Sequence, residues 1–459
     1  MQAYSLSLGS FGDARREQVG SALVASMQHN RTMCLHRLAK DRKQARQFGT
    51  FLANPWVSTA EMVTYAGQQT GRRVGGRHIL TIQDTTELHF ANHVASKKGF
   101  GTAGNGIDPG LFLHPSLAVD ADTGGIIGLV DCAIINRTEG KVTDRHKRAA
   151  DEKESRRWLD GAVTAGDVLS EAAMITMVAD RESDIYDLFA RRPANVHLLC
   201  RSMHNRTLTD GTPLAECCAR WQEQSRYTVD VPVRGTRPAR QATVRLRFGT
   251  VSVLRPDSVA KDRAEALTLS VVDVKEVGPP AGQEPVRWRL LTTHPVGTVE
   301  QARQIVAWYR RRWTIEQVFR SLKSHCLRIE DSQMQQAVCF TKLAMVALIA
   351  AVRSMQLVVA RDGSTRQPVT DAVDAHDMPA LRCLSVSLEG STEKLKNPHN
   401  PSDLAWFCWI VARLGGWSGY TSKGYRPAGP KTMHHGLLRL DGILTGWHMA
   451  NRSGEDGLP

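Results

Sequence analysis

The segment Met174–Ala179 places the strongest constraint on the fold of this chain, because it is short, apolar and followed at once by Asp180. Apolar runs of this length are typical of strands whose two faces are both buried. Such strands lie in sheets that helices cover, so the run predicts an α/β fold. Open α/β sheets form their sites at the carboxyl ends of strands, which makes Asp180 a candidate site residue.

A second strand pattern ends in the same way. His78–Gln83 is rich in β-forming residues and leads directly into Asp84. Two further patterns, Leu111–Val119 and Ile126–Ile135, flank a turn rich in Asp and Gly and predict an antiparallel hairpin. Two strands of one predicted sheet therefore each deliver an aspartate at their carboxyl end.

A third carboxylate, Glu316, lies in a long helical pattern that extends from Thr298 to Lys323. Thr298 and Gln301 can form a capping box, and no Gly or Pro interrupts the pattern, so it predicts one helix. At about 100° per residue, one stripe about 60° wide holds a phenol, two cations and an acid. These residues are Tyr309, Arg312, Glu316 and Lys323. The apolar residues expected to hold the helix in place are Trp308, Trp313, Ile315, Phe319 and Leu322.

The stripe has two interpretations. Its cations could grip phosphates on either side of a phosphodiester bond, its phenol could bond a backbone oxygen, and its acid could hold a metal ion. Alternatively, Glu316 could only form exposed ion pairs with Arg312 and Arg320, which are both four residues away.

The three carboxylates favour the first interpretation. Hard oxygen ligands without Cys or clustered His select Mg²⁺ or Mn²⁺. Two such ions about 4 Å apart could activate a water or a 3′-hydroxyl and stabilise the leaving oxygen of an in-line displacement. Asp84, Asp180 and Glu316 are therefore the predicted metal ligands and catalytic residues.

The charge of the chain agrees with a polyanionic partner. Its 459 residues include 59 Lys and Arg against 46 Asp and Glu, a net charge of +13. Nucleic acid is the simplest partner for such a protein.

Other classes of protein are not favoured. The nine cysteines form no CxxC pair and no Cys/His quartet, so neither zinc nor a disulfide framework is expected. His434 and His435 lack a third ligand at suitable spacing and are expected at the surface. The apolar run Leu343–Val352 is too short to span a bilayer, and the N-terminus lacks the pattern of a secretory signal. We therefore expect a cytoplasmic protein without a membrane segment.

The organisation predicted along the chain has four parts. Residues 1–66 have short helical patterns with basic faces and are expected to bind DNA, the alternative being solvated surface helices. Residues 67–193 and 298–360 are expected to form the catalytic core. Residues 194–297 have mainly strand patterns and form a predicted β-rich insertion, and residues 361–459 are expected to form a helical C-terminal domain.

Several further residues are candidates for DNA contacts. Lys97 and Lys98 lie in a Gly-rich stretch, 96–110, that is expected to be a mobile loop. Arg201 ends a strand pattern, and the segment 234–240 adds Arg237 and Arg240. Trp288 is either a core residue or an exposed aromatic that could stack on a base.

Motifs distributed along the chain resemble one known family. They are Asp84-Thr85-Thr86, Ala179-Asp180-Arg181-Glu182-Ser183-Asp184, and the series of Tyr309, Arg312, Glu316 and Lys323. Shorter matches include Arg15-Arg16 near the start, residues 151–155, Arg201-Ser202 and residues 412–416. In this order they resemble the DDE cut-and-paste transposases of bacterial insertion sequences, in the branch with the Tyr/Arg/Glu/Lys pattern.

This resemblance implies a ribonuclease-H-like, retroviral-integrase-like core with a β-rich insertion, flanked by helical N- and C-terminal domains. It implies that Asp84, Asp180 and Glu316 hold two divalent ions. It also implies a synaptic homodimer on double-stranded DNA, with the steps of nicking, hairpin formation, hairpin opening and strand transfer. The residues that match DNA contacts are Tyr309, Arg312, Lys323, Trp288, Arg201, Arg15 and Arg16.

Two rival functions remain at this point. One is a nuclease of the same fold that cuts DNA without joining it, and the other is a domesticated, inactive DNA-binding protein. The intact carboxylates and the intact Tyr/Arg/Lys stripe argue against the inactive protein. Joining of a cut end to target DNA would separate a transposase from the nuclease.

Overall fold

The computed structural model describes residues 7–30, 32–91, 96–138, 154–231, 239–325, 327–421, 424–425 and 427–452. Four helices come first, α1 (Ala14–Asn30), α2 (Leu35–Leu38), α3 (Arg42–Ala53) and α4 (Thr59–Gly71). Side chains cap the N-termini of α3 and α4. The Asp41 side chain accepts a hydrogen bond from the Gln44 amide, and the Ser58 side chain accepts one from the Glu61 amide. The helical character predicted for this part of the chain is confirmed.

A central sheet follows, with strands β1 (His78–Gln83), β2 (Thr86–His89), β3 (Gly101–Thr102), β4 (Pro109–Asp120), β5 (Ile126–Ile135), β6 (Met174–Ala179) and β7 (Val196–Arg201). The order across it is β5-β4-β1-β6-β7. β4 pairs antiparallel with both β5 and β1, whereas β6 pairs in parallel with both β1 and β7. This mixed α/β sheet confirms the predicted class and is consistent with a ribonuclease-H-like fold.

Both faces of the central strands are buried, as the apolar pattern predicts. Alternate residues of β6 belong to two different hydrophobic clusters, with Val178 in one and Met177 in the other. Helix α5 (Arg156–Val168) covers the Met177 side together with α6 (Tyr186–Arg191). The opposite side is covered by helices from the second half of the chain.

The strands predicted for the insertion all form, after the short helix α7 (Leu214–Arg220). They are β8 (Ser225–Val231), β9 (Arg240–Leu254), β10 (Ala266–Glu276) and β11 (Arg287–Thr292). β11 pairs antiparallel with β7, so the insertion continues the central sheet and gives eleven strands among the described residues. β7 itself falls within the predicted insertion range, yet it pairs with β6 in the centre of the sheet.

The pattern predicted as one helix from Thr298 to Lys323 contains three helical pieces instead. α8 (Val299–Arg310) begins at the predicted capping box, α9 (Trp313–Arg320) follows, and a π-helical turn occupies Ser321–His325. Between α8 and α9 the amides of Arg311 and Arg312 bond to carbonyls only three residues back. Trp313 was expected to pack but is 39% exposed.

The C-terminal part is helical, as predicted. It contains α10 (Ala337–Ala360), α11 (Met378–Leu388), α12 (Leu404–Leu414) and α13 (Pro430–Arg452), with a small hairpin of β12 (Tyr420–Thr421) and β13 (Gly424–Tyr425). α11 falls in a segment whose sequence has little pattern. α10 has the length and composition of a membrane span, but 89% of its most apolar window is buried inside the protein, so it serves as a core helix.

Candidate active site

The two strand-end aspartates are neighbours. β1 and β6 run parallel with Ile82 opposite Val178, so that Asp84 and Asp180 leave the same edge of the sheet on adjacent strands. Each carboxylate accepts one hydrogen bond from a nearby backbone amide. The Thr85 amide donates to Asp84 Oδ1 at 2.8 Å, and the Glu182 amide donates to Asp180 Oδ1 at 2.8 Å. The remaining carboxylate oxygens stay available to other groups at the edge.

Glu316 faces this edge from α9. One open depression is lined by Asp84, Asp180, Arg312, Glu316 and Lys323, together with Thr85, Thr86, Glu87, Phe319, Arg320 and Ser324. Arg312 Nη1 lies 2.6 Å from Asp84 Oδ2 and 3.5 Å from Glu316 Oε1. The structure therefore brings the three predicted carboxylates and two predicted cations to one place. The Arg312–Glu316 ion pair of the alternative interpretation is present, but it is inside this depression.

The electrostatics of the depression suit a cation. Burial raises the pKa of Asp84 to about 6, Arg312 and the Thr85 amide oppose this rise, and the charges of Asp180 and Glu316 add to it. Burial alone would lower the pKa of Arg312, but its carboxylate neighbours, Asp84 first, raise it overall. The site thus concentrates negative charge that a positive group has to balance.

Tyr309 lies three residues before Arg312, which lines the depression, and is only 8% exposed. Burial raises the pKa of its phenol, while the charges of Arg312 and Arg201 oppose the rise and that of Asp180 adds to it. The Trp288 ring, on β11, packs edge-on against the Tyr309 ring with 6.3 Å between centroids. Tyr309, Arg201 and half-buried Trp288 therefore form a group beside Asp180.

Lys323 is placed by the π-helical turn that follows α9. Its Nζ lies 3.5 Å from Glu330 Oε1, and its side chain keeps 30% of its area exposed at the edge of the depression. The extra residue of a π turn rotates the following side chains relative to an α-helix. The position of Lys323 therefore depends on this turn as well as on the helical spacing that predicted it.

Two residues next to the site were missed by the sequence interpretation. Arg157, on α5, contacts the Thr85 hydroxyl and Glu182 Oε2 at 3.3 Å each. His114, on β4, shares a 2.8 Å hydrogen bond with the same hydroxyl and is 3% exposed. Arg157 lies two residues after the segment 151–155 that resembles the transposase family, and this is the one signal that could have found it.

Lys97 does not lie in a free loop as expected. Its Nζ donates to the carbonyls of Ser332 and Met334 at 2.8 Å each and lies 4.1 Å from the centre of the Phe90 ring. Burial lowers the pKa of its amine to about 8. The predicted loop itself contains β3 and the start of β4, whereas Lys98 is exposed as predicted.

The other predicted DNA contacts that the structure describes do not line the depression. Arg240 forms a two-pronged ion pair with Glu276, which is 5% exposed, so it is not the free cation that was expected. Arg237 is outside the described residues. Arg15 is exposed on α1, and Arg16 Nη1 donates to the carbonyl of Phe11 at 2.6 Å.

His434 was expected at the surface, but it is 1% exposed. Its Nε2 lies 3.1 Å from the Met27 carbonyl and its Nδ1 lies 3.4 Å from the Ser354 hydroxyl. It therefore connects α13 to α1 and α10.

The donor set of the depression fits a hard divalent cation. The oxygens of Asp84, Asp180 and Glu316 converge without imidazole or thiolate, and Arg312 already supplies positive charge between two of them. The same three residues are those predicted as metal ligands from the sequence.

One family model matches more than half of the chain. Residues 112–353 match the family model described as Transposase DDE domain, a range that includes Asp180 and Glu316 and begins after Asp84. Because the match covers more than half of the 459 residues, the chain belongs to this family of transposases. Membership implies DNA binding, nuclease and strand-transferase activity in general, and the use of divalent metal ions.

Proposed function

We propose that this protein is a cut-and-paste DNA transposase that binds the ends of its insertion sequence, excises the element and integrates it elsewhere. The observation that carries this proposal is the convergence of Asp84 and Asp180, at the ends of adjacent parallel strands, with Glu316 on α9. A phosphodiester backbone has room to approach because the depression is open to solvent. The branch with the Tyr/Arg/Glu/Lys pattern is part of the proposal.

Asp84, Asp180 and Glu316 would hold two Mg²⁺ or Mn²⁺ ions. When bound, such ions supply a polarised water or 3′-hydroxyl and stabilise the leaving oxygen. The chain contributes the placement of the carboxylates, because two of them are fixed at strand ends and the third on a helix that packs on the sheet. Buried apolar residues of α9, such as Ile315 and Val318, keep Glu316 on that side of the helix.

Arg312, Lys323 and Tyr309 would hold the DNA backbone. In this structure Arg312 forms ion pairs with Asp84 and Glu316. When cations occupy those carboxylates, a DNA phosphate would replace them as the anionic partner of Arg312. Lys323 can likewise exchange its 3.5 Å contact with Glu330 for a phosphate. The Tyr309 hydroxyl remains protonated, because burial raises its pKa, and it can donate to a backbone oxygen.

Trp288 would stack on a flipped base during formation of a DNA hairpin. Its half-buried ring packs edge-on against Tyr309, and this contact supports a role beside the DNA backbone that Tyr309 would bind. A single base stack can repay most of the few kcal/mol that flipping costs. Arg201, whose charge acts on Tyr309, would neutralise a phosphate beside the flipped nucleotide.

Assembly and recognition rest on the resemblance and on charge. We propose a synaptic homodimer on double-stranded DNA, in which α1 with Arg15 and Arg16 contributes to binding of the element's ends. The domain boundaries, the role of the C-terminal helices in the dimer and a cytoplasmic location belong to the same proposal.

The test is a cleavage assay with the purified protein, Mg²⁺ and a duplex that carries the end of its own element. We expect nicks, hairpins and joined products on a denaturing gel, and their loss in the Glu316→Gln variant. Glu393→Gln, a substitution in an exposed i,i+3 ion pair of the C-terminal part, is the matched control and should cleave normally. Cleavage without joining, in a synaptic complex of two protomers and two DNA ends, would support a nuclease instead. DNA binding without cleavage would refute the enzymatic function.

A further inference from the structure

A second group of ligand-type side chains lies far along the chain from the carboxylates. His376 and Asp377 directly precede α11, and His448 is in the last turns of α13. One ligand atom from each of these residues can be chosen so that all three atoms lie within 4.8 Å of one another. The three residues belong to no motif of the transposase site, and the segments that carry them are 71 residues apart.

The Asp377 carboxylate is at the centre of this group. Its Oδ1 lies 2.8 Å from His448 Nε2 and 3.3 Å from His376 Nε2. The side chain is 0% exposed, and its second oxygen, Oδ2, is buried without a hydrogen-bond partner in the part of the chain that the structure describes. A buried carboxylate with an unpartnered oxygen is costly, and a cation bound to its other oxygen would offset part of that cost by balancing the buried charge.

We propose that His376, Asp377 and His448 form a site for one transition-metal ion, with Zn²⁺ as the preferred ion. Two imidazoles and one carboxylate are typical zinc ligands, whereas Mg²⁺ prefers a set made of oxygens. Ligand atoms about 2.0 to 2.1 Å from a tetrahedral Zn²⁺ are about 3.3 Å apart, close to the separation found between His376 Nε2 and Asp377 Oδ1. A water completes the coordination.

The metal ion would link α13, the last long helix described, to the turn that precedes α11. His448 lies near the end of α13, while His376 and Asp377 lie in the 3₁₀ turn Ala375–Asp377 that leads into α11. α13 also packs against α1, α10 and α12 and so joins the N- and C-terminal parts. The ion would hold the C-terminal end of this helix in place. Its role is structural, and it does not depend on the proposed function of the carboxylate site.

Hydrogen bonding is the ordinary explanation of the same geometry. His448 alone could donate to Asp377 Oδ1, with His376 as an exposed neighbour whose side chain is 48% accessible. This explanation gives the buried charge of Asp377 no metal cation to balance it and predicts no role for His376. The two explanations therefore differ in what happens when His376 is replaced.

The experiment uses the full chain, stripped with a chelator and then titrated with Zn²⁺ in competition with a metal indicator. The carboxylate site is first disabled by Asp84→Asn together with Glu316→Gln, so that ions bound there are not counted. Because His376 is exposed, His376→Ala should fold, and it is the main variant. His204→Ala, at an exposed histidine of the loop after β7, is the matched control.

We expect the double variant Asp84→Asn with Glu316→Gln to bind one equivalent of Zn²⁺ per chain. The bound ion should raise its Tm. His376→Ala should weaken this binding at least about tenfold and remove the shift in Tm, whereas His204→Ala should change neither. Co²⁺ in place of Zn²⁺ should give the intense visible bands of four-coordinate cobalt. Absence of a bound equivalent, or equal binding by the double variant and by His376→Ala, would overturn the proposal.

Discussion

The guanidinium of Arg312 is joined to the carboxylate of Asp84 by an ion pair with 2.6 Å between Nη1 and Oδ2. The same nitrogen lies 3.5 Å from Glu316, so one cation stands between two of the three carboxylates. This contact reduces the repulsion among acids at the strand ends. It also means that any cation or phosphate that enters the depression changes the partners of Arg312.

The first prediction concerns Arg312 itself. Arg312→Ala should slow single-turnover DNA cleavage about 100-fold or more, because a positioned charge in a partly buried site is lost. Arg310→Ala removes an exposed arginine of α8 and should leave the rate nearly unchanged. Thermal unfolding of both variants would separate an effect on cleavage from an effect on folding. A cleavage rate for Arg312→Ala equal to that of the unmodified protein would contradict the proposed site.

Lys97 and Lys98 should behave differently although they are adjacent. Lys97→Met removes the donor to two part-buried carbonyls and should cost about 1–3 kcal/mol of unfolding free energy. Lys98→Met changes an exposed lysine and should leave stability within about 0.5 kcal/mol. If Lys98 contacts a phosphate, its loss should reduce the salt dependence of DNA binding by about one charge. Urea unfolding and a salt titration of DNA binding measure the two effects, and equal destabilisation by both variants would be the contrary result.

The buried ion pair between Asp184 and Arg206 should be essential to the loop after β7. Asp184 is 1% exposed, and its carboxylate accepts hydrogen bonds from the Arg206 guanidinium and from the backbone amides of Met203 and His204. Asp184→Asn should therefore cost about 3–5 kcal/mol, because it leaves the Arg206 charge buried without its counterion. The exposed pair of Arg220 and Glu216 provides the comparison, and Glu216→Gln should cost less than about 1 kcal/mol. Denaturant unfolding would measure both, and a similar cost for the two substitutions would refute the distinction.

Stability should fall in mild acid because two histidines are buried in neutral form. Burial, assisted by neighbouring positive charge, lowers the pKa of His114 and of His294 from 6.5 to about 3. The unfolded chain binds protons on these groups below pH 6.5 whereas the folded chain does not, so each should lose about 2 kcal/mol of stability by about pH 5. The raised pKa of Asp84 acts in the opposite direction by about 1 kcal/mol, since the folded state then binds the extra proton.

Denaturant midpoints at about pH 7.5 and about pH 5 test this prediction. A net loss of about 3 kcal/mol is expected for the unmodified protein, and His294→Asn should show a smaller loss because one of the two groups is gone. A midpoint that does not move between these pH values would show that the two histidines do not control acid stability.

Local sequence patterns predicted much of the backbone. Strand β6, the hairpin of β4 and β5, and the capping box of α8 all form where the residues indicate, because each depends on alternation or spacing within a few positions. The aspartates at the ends of β1 and β6 could be recognised for the same reason. The resemblance to the transposase family, carried by motifs of this local kind, is confirmed at the level of the family.

Contacts between distant segments decided the rest. The predicted single helix divides at Arg311, whose side chain donates to the carbonyls of Asp122 and Thr123 in the turn after β4, and at Arg312, which turns to Asp84. Helical propensity has no information about these partners. Lys97 was predicted to be free because its neighbours are polar, yet it donates hydrogen bonds to carbonyls more than two hundred residues away.

The sequence by itself thus determined which residues carry charge, where strand β6 and helix α8 begin, and which aspartates follow the central strands. Only the tertiary structure decided which of those charges meet. Arg312 reaches Asp84, Arg240 reaches Glu276, and His448 reaches Asp377 across long intervals of chain. The physical reason is that hydrogen bonding and ion pairing act over a few ångströms in space, and the packing of sheet and helices sets those distances without regard to separation in sequence.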